Sequence, residues 1–139
     1  MSATTTDIDA SLLDDIRAFR LSKGTSKTAA LVVKIDKKRL VIEKEELLDP
    51  ITPDDLAEEL PEHSPRFVVL SFAHTHDDGR VSYPLVLLHW APQSSSIELA
   101  TLYASALAQF SAAADVGRTI DVRDGELSTA ALVARLGGK

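Results

Sequence analysis

Residues 65–90, PRFVVLSFAHTHDDGRVSYPLVLLHW, constrain the fold more than any other stretch, because two apolar runs are joined by a tight Asp-Asp-Gly signal. The first run is apolar on both faces through Leu70 and then turns polar on one, the pattern of a central strand covered on both sides at its start. Asp-Asp-Gly predicts a turn, and RVSYPLVLLHW reads as the returning strand of a hairpin. Pro84 has no N–H to give to a ladder, so it predicts an edge position or a bulge in that second strand. A strand apolar on two faces needs helices above and below it, which already favours a layered fold.

The flanking sequence supplies those helices. Residues 7–22 place Ile8, Leu12, Ile16 and Phe19 four, four and three apart, predicting an amphipathic helix that stops near Gly24. KTAALVVKID and KRLVIEKEEL are rich in β-branched residues around a short charged turn, predicting a second hairpin. Thr52 caps the next predicted helix, with Pro53 at its first position, Asp54 and Asp55 in its first turn, and Pro61 marking its end. A long helix is predicted from a Ser95 cap answered by Glu98 to a stop at Gly117, about 20 residues and 30 Å. Its alanines, Ala100, Ala104, Ala106, Ala113 and Ala114, suit a close approach to a sheet. The strand RTIDVRD, a turn at Asp124-Gly125 and a final helix capped by Ser128, with Leu132, Val133 and Leu136 inward, complete the chain. The order is αββαββαβα. No repeat, linker or low-complexity tract interrupts it, so the reading is one α+β (mixed α/β) domain over residues 1–139, with 1–6 as a flexible tail.

Composition narrows the function classes. The chain has 139 residues, 45% hydrophobic and 26% charged, enough apolar surface for one sizeable core. It contains no cysteine, which excludes disulfides, thiol nucleophiles and cysteine-ligated metals. The N-terminus lacks the basic flank and apolar run of a signal peptide, and no segment has the apolar length of a membrane span, so a soluble cytoplasmic protein is expected. The net charge of −6 gives no global support to nucleic-acid binding. The charge is uneven: nine of the 15 basic residues lie between Arg17 and Lys44, and residues 45–62 hold eight acids and no base. The basic part is either a solvated face or a docking patch for an acidic protein surface.

A search for reactive groups returns little. His74 and His76 alternate on a strand and share a face, as a two-histidine metal site requires, with Asp77 or Asp78 as a third ligand and distant His63 or His89 as a fourth. The plainer reading is a pair of solvated histidines at a strand end. Asp77 and Asp78 sit at an exposed tip where nothing separates their pKa values, so they read as solvated carboxylates and not as an acid–base pair. The run Ser94–Ser96 lacks the glycine-flanked elbow of a serine hydrolase, and no glycine loop is placed to cradle phosphate. Trp90 and Tyr103 read as core residues. Arg17 and Arg20, three apart on the first helix, lie on its polar side, with Lys23 just beyond the end.

The stretch ELPEHSPRFVVLSFAHTHDDGRVSYPL closely resembles the glia maturation factor branch of the actin-depolymerising-factor homology family, and IRAFRLSK, VVKIDKKRLVIEKEEL and LYASALAQF follow the same pattern in order. The resemblance runs from about residue 9 to 137, with HDDGRVSYP its most specific part. It implies a five-stranded mixed sheet sandwiched between helices. It also implies a non-enzymatic, cofactor-free regulator that binds the actin-related protein 2/3 complex, debranches actin networks and inhibits new nucleation. Weak or no binding to actin itself, a monomeric state and a place at the actin cortex and actin patches, and in the nucleus, go with that reading.

By motif match, the partner-binding positions implied are Arg17, Arg20 and Lys23 near the N-terminus and Asp77, Asp78 and Arg80 at the hairpin tip. Where relatives carry lysines on the long helix this chain has Leu107 and Gln109, which removes a basic contribution. Two other readings stand beside it: a cofilin-type actin-depolymerising protein, and, in a different class, a metal-dependent enzyme centred on His74 and His76.

Overall fold

A computed structural model describes residues 6–22, 27–123 and 127–136. Its elements run β1 (Asp7–Ile8), α1 (Ala10–Ser22), β2 (Ala29–Asp36), β3 (Val41–Leu48), α2 (Pro53–Glu59), β4 (Arg66–Ser71), β5 (His74–Thr75), β6 (Val81–Ser82), β7 (Leu85–Trp90), α3 (Ile97–Ala114), β8 (Thr119–Val122) and α4 (Thr129–Arg135). The main sheet has the order β1-β3-β2-β4-β7-β8, antiparallel in its centre and parallel at both edges, where β1 joins β3 and β8 joins β7. The five expected strands are all present; the sixth is the two-residue β1.

Side-chain alternation divides the sheet into two cores. Leu31, Val33, Phe67, Val69 and Leu87 face α1 and α3, and meet Leu12, Ile16, Phe19, Tyr103, Ala106 and Phe110. Val32, Val68, Leu70, Val86 and Leu88 face α2 and α4, and meet Leu56, Leu60, Leu127 and Leu132. Burial on both faces is why β2 and β4 read as continuous apolar runs. Each fully buried Leu or Val contributes about 1.5–3 kcal/mol of transfer free energy, so these strands anchor the whole fold. Phe67 stacks on Phe110 at 5.1 Å and meets the edge of Tyr103 at 5.2 Å. The Tyr103 hydroxyl accepts from the Ile35 N–H at 2.9 Å, beyond the last β2–β4 pair at Val33 and Phe67, and so satisfies a ladder donor that β4 does not reach. Burial raises the Tyr103 pKa, against the Ile35 N–H and Arg66, which lower it. Trp90, also buried, donates its indole N–H to the Pro61 carbonyl at 2.7 Å.

Several boundaries differ from the sequence reading for identifiable reasons. Ile8 does not continue the α1 stripe but pairs with Ile42 in β1, so the helix begins at Ala10. The cap of α3 is Ser96, which accepts from the Leu99 N–H, one residue later than expected. The helix ends at Asp115 in the left-handed conformation (φ 57°), a role aspartate can fill, and not at Gly117. Of its seven alanines only Ala106 and Ala114 are buried; Ala100, Ala104 and Ala113, expected against the sheet, are exposed, as are Ala108 and Ala112. Thr52 and Ser128 cap α2 and α4 as predicted, accepting from Asp55 and Ala131. The stop at Gly24 and the Asp124-Gly125 turn lie outside the described residues.

Pro84 gives the most informative difference. β7 is an interior strand, between β4 and β8, so the edge reading fails. The proline sits in a break: the β4–β7 ladder ends at Ser71 and Leu85, Phe72 donates to the Pro84 carbonyl at 3.1 Å, and a separate two-stranded sheet, β5–β6, follows. The partner strand uses the proline's carbonyl, where its missing N–H costs nothing. The long hairpin is therefore jointed, with an arm projecting past the end of the main sheet.

Candidate partner-binding surfaces

The two groups of sequence-predicted residues fall on different structures. Arg17 and Arg20 lie on α1, whose buried stripe of Leu12, Ile16 and Phe19 fixes which side turns outward. The Arg17 side chain is 74% exposed and makes only a 3.4 Å contact to Asp14, itself largely exposed, so the pair adds little stability. Arg20 is different. Its guanidinium reaches the C-terminal end of α3, donating to the Ala114 carbonyl at 3.2 Å and to the Asp115 carboxylate at 3.3 Å. A cation there meets unsatisfied carbonyls and the negative end of the helix dipole, so Arg20 works as a strut between the two helices. Lys23, the third member of the group, lies outside the described residues.

Between the two helices an open groove of about 450 Å³ is lined by Leu13, Ile16, Arg17, Arg20, Leu21 and the Ala113–Asp115 end of α3. Leu21 stands at its rim, 83% exposed. The sequence held a signal for this residue, since Leu21 lies two positions after Phe19 and so nearly opposite the buried stripe. Ile97, the first residue of α3, is 85% exposed and beside Glu98, which is ion-paired to Lys37 at 3.1 Å. α3 carries no Lys or Arg, and Glu98 is its one charged residue. Leu107 packs against the core, and Gln109 holds Thr6: its amide donates to the Thr6 carbonyl at 2.8 Å, and the Thr6 hydroxyl donates back at 3.0 Å. Thr6, read as tail, is thus buried against the long helix.

The second group sits at the end of the arm. Asp77, Asp78 and Arg80 are all exposed. His76 and Arg80 close the turn, the His76 N–H donating to the Arg80 carbonyl at 2.8 Å, and Gly79 takes φ 90°, which explains the glycine. Arg80 is not a free cation: it donates from Nε to Asp78 at 2.7 Å, and its own N–H donates to the other carboxylate oxygen at 3.1 Å. That side-chain bond, then the backbone one, lowers the Asp78 pKa.

The histidines belong to the arm's base. His74 is buried, 9% exposed, stacks on Phe72 at 5.8 Å and meets the His76 ring edge-on at 4.4 Å. His76 shares a 2.8 Å hydrogen bond with the Ser82 hydroxyl across the β5–β6 pair. The solvated reading is thereby corrected for His74, because the jointed hairpin folds the ring over Phe72 instead of leaving it at a strand end. The two rings do share a face, as alternation requires. Asp78 is turned to Arg80, His89 lies against Phe67 on the α1–α3 side, and among the described residues no third ligand gathers with the pair. His63 and Ser94 share a hydrogen bond of 2.7 Å and the Glu62 carboxylate stands 3.8 Å from the other ring nitrogen, yet His63 is 74% and Glu62 88% exposed and Ser94 is exposed too, so nothing excludes water from the three.

Comparison with known proteins bears on what two such surfaces serve. The profile of a family described as cofilin/tropomyosin-type actin-binding protein matches residues 5–137. The chain is 41% identical to human glia maturation factor beta over 121 residues, 86% of this chain and 84% of that one. It is 34% identical to glia maturation factor of Drosophila melanogaster over 131 residues, 94% of each. The solution structure of glia maturation factor from Caenorhabditis elegans superposes with a TM-score of 0.82 at 33% identity, covering 97% of this chain and 98% of that one. Among the described residues no helix is long and apolar enough to cross a membrane.

Proposed function

Since this chain belongs to the glia maturation factor branch of the cofilin/tropomyosin-type actin-binding family, we propose that it binds the actin-related protein 2/3 complex, removes branches from actin networks and inhibits new branch nucleation. The family is one of actin-cytoskeleton regulators and not of enzymes. The observation that carries the finer reading is α3, an 18-residue helix with no basic residue, with Leu107 and Gln109 committed to the core and to Thr6. Such a helix offers an acidic filament surface no cation, which disfavours a cofilin-type mode.

Binding then rests on two patches. Arg17 supplies an exposed guanidinium beside an apolar groove, and its pairing with a partner carboxylate gains strength only as docking excludes water. Arg20 holds the groove's two walls together. At the other patch the arm presents Asp77 and the Asp78–Arg80 pair to a second surface. A module seated on two subunits at once prefers one arrangement of the complex, and the branch is released in proportion to that preference. Each tenfold in differential affinity is worth about 1.4 kcal/mol, and equal affinity for both arrangements shifts nothing.

Fluorescence microscopy of preformed branched filaments tests the reading: nanomolar to micromolar protein should raise the rate of branch loss, and the purified complex should be retained on immobilised protein. Unchanged branch lifetimes with no retention of the complex would falsify it. Co-sedimentation with filaments at low and moderate salt separates the cofilin-type reading, since only that one expects appreciable pelleting.

A further inference from the structure

We propose that the outer edge of β3, from Glu43 to Leu48, is a strand-addition site for an extended segment of alternating basic and apolar residues. β1 covers this edge only at Val41 and Ile42, after which the Asp9 N–H donates to the Ile42 carbonyl and the chain leaves into α1. Past that point no strand of the described residues pairs with β3 on its outer side. The opposite edge of the sheet is guarded: Arg135 of α4 donates to the Asp121 carbonyl of β8, and Arg118 donates back to the Arg135 carbonyl. An uncovered edge presents unpaired backbone donors and acceptors, the chemistry a peptide uses to add itself to a sheet.

Side chains along the edge specify the occupant. Register places Lys44 and Leu47 on the α1 side, opposite Val33 and Leu31, and Glu43 and Glu46 on the other, opposite Lys34 and Val32, with Glu45 as the bulge between. On the α1 side an open notch of about 310 Å³ has Phe19 and Leu31 as its buried apolar lining, with Ala18, Asp49 and the Lys44–Asp15 ion pair (3.7 Å) around it, and Leu47 stands 52% exposed at its rim. An added strand would drop an apolar side chain into that notch, and its neighbours would face the exposed Glu46 and, less openly, Glu43, which Arg39 already meets at 3.6 Å. The fitting pattern is therefore Lys or Arg, apolar, Lys or Arg. A second copy of this edge does not fit, since it would set Glu43 and Glu46 against their own counterparts. The bulge and the charges that discourage indiscriminate pairing make the edge selective.

The test is panning a phage-displayed library of random heptapeptides on the full chain, then measuring binding of a synthesised winner to Glu46→Lys and Leu47→Lys. Both positions are exposed, and circular dichroism checks that each variant keeps its fold. The expected result is enrichment of the alternating basic–apolar pattern, amide shifts concentrated on residues 43–48, and binding weakened at least about fivefold by either substitution. Retention of the actin-related protein 2/3 complex should be unaffected in both variants, which separates this site from the proposed function. Winners that bind the variants as well as the parent, shifts centred elsewhere, or no enrichment of the alternating pattern overturns the proposal.

Discussion

The two candidate surfaces are built on opposite principles. The α1–α3 groove is braced: its floor is the larger core, and Arg20 ties one helix to the end of the other through Ala114 and Asp115. The arm is cantilevered: two strands of two residues each leave the main sheet at Phe72 and Pro84 and are steadied by His74, His76 and Ser82. A two-stranded ribbon that short is not independently stable, so the arm borrows its order from its base. Arginines at the two surfaces accordingly differ in what they hold. Arg20 supports tertiary structure, whereas Arg80 organises only its own turn.

The largest expected effect comes from undermining the cantilever. Phe72 is 2% exposed and underlies His74, so Phe72→Ala should cost about 3–4 kcal/mol and strip hydrogen-exchange protection from residues 74–82 before it affects β2 or β4. Uniform loss of protection would show that arm and sheet are one cooperative unit and would break the comparison. Next comes the brace. Arg20→Glu sets a carboxylate against the Ala114 carbonyl and Asp115, and should cost about 1–2 kcal/mol, seen as a lower Tm; Arg17→Glu should stay within about 0.5 kcal/mol. Both should weaken retention of the complex. Equal Tm for the two variants would mean that the strut carries no load.

Which parts of this were legible in the sequence follows from how local their causes are. The central strands, the paired layers and the caps at Thr52 and Ser128 rest on period and on hydrogen bonds within three residues, and both survive without tertiary information. The joint at Pro84 was half legible. Proline announces a missing donor, but only the neighbouring strand decides whether that becomes an edge, a bulge or a break. Arg20's partners lie 94 and 95 residues away in sequence, and Gln109's lies 103 away, so no spacing rule could assign them. The exposed tip at Asp77, Asp78 and Arg80 was legible because a turn signal fixes it locally. The burial of His74 was not, because it depends on how the arm folds back on Phe72.

A smaller effect probes the arm's far end. Gly79 holds φ 90° with open space where a side chain would stand, so Gly79→Ala meets a backbone cost of about 1 kcal/mol and no clash. Global stability should fall by no more than that. If tip geometry matters, complex binding should fall further than stability does; parallel losses would show that the turn is only a connection.

The smallest effect is electrostatic and local to the tip. In the folded chain Asp78 has a lowered pKa, through the Arg80 side-chain hydrogen bond first and its backbone N–H second. A carboxylate whose folded pKa lies below its unfolded one adds stability that is complete above the ordinary carboxylate range and is lost as pH falls through the folded value. The window is therefore acidic, from that range downward, and the tip is fully paired at neutral pH. Arg80→Ala should move the Asp78 titration back up toward the ordinary range, followed by the carboxyl carbon shift in NMR, with only a slight fall in Tm at neutral pH, where the exposed pair's small contribution is complete. Bracing of the kind Arg20 provides is absent here, because both partners are solvated and sit two residues apart, so the bond shapes the turn without tying it to the sheet. An unmoved Asp78 titration would place the cause in the backbone N–H alone and leave the Arg80 guanidinium free to meet a partner.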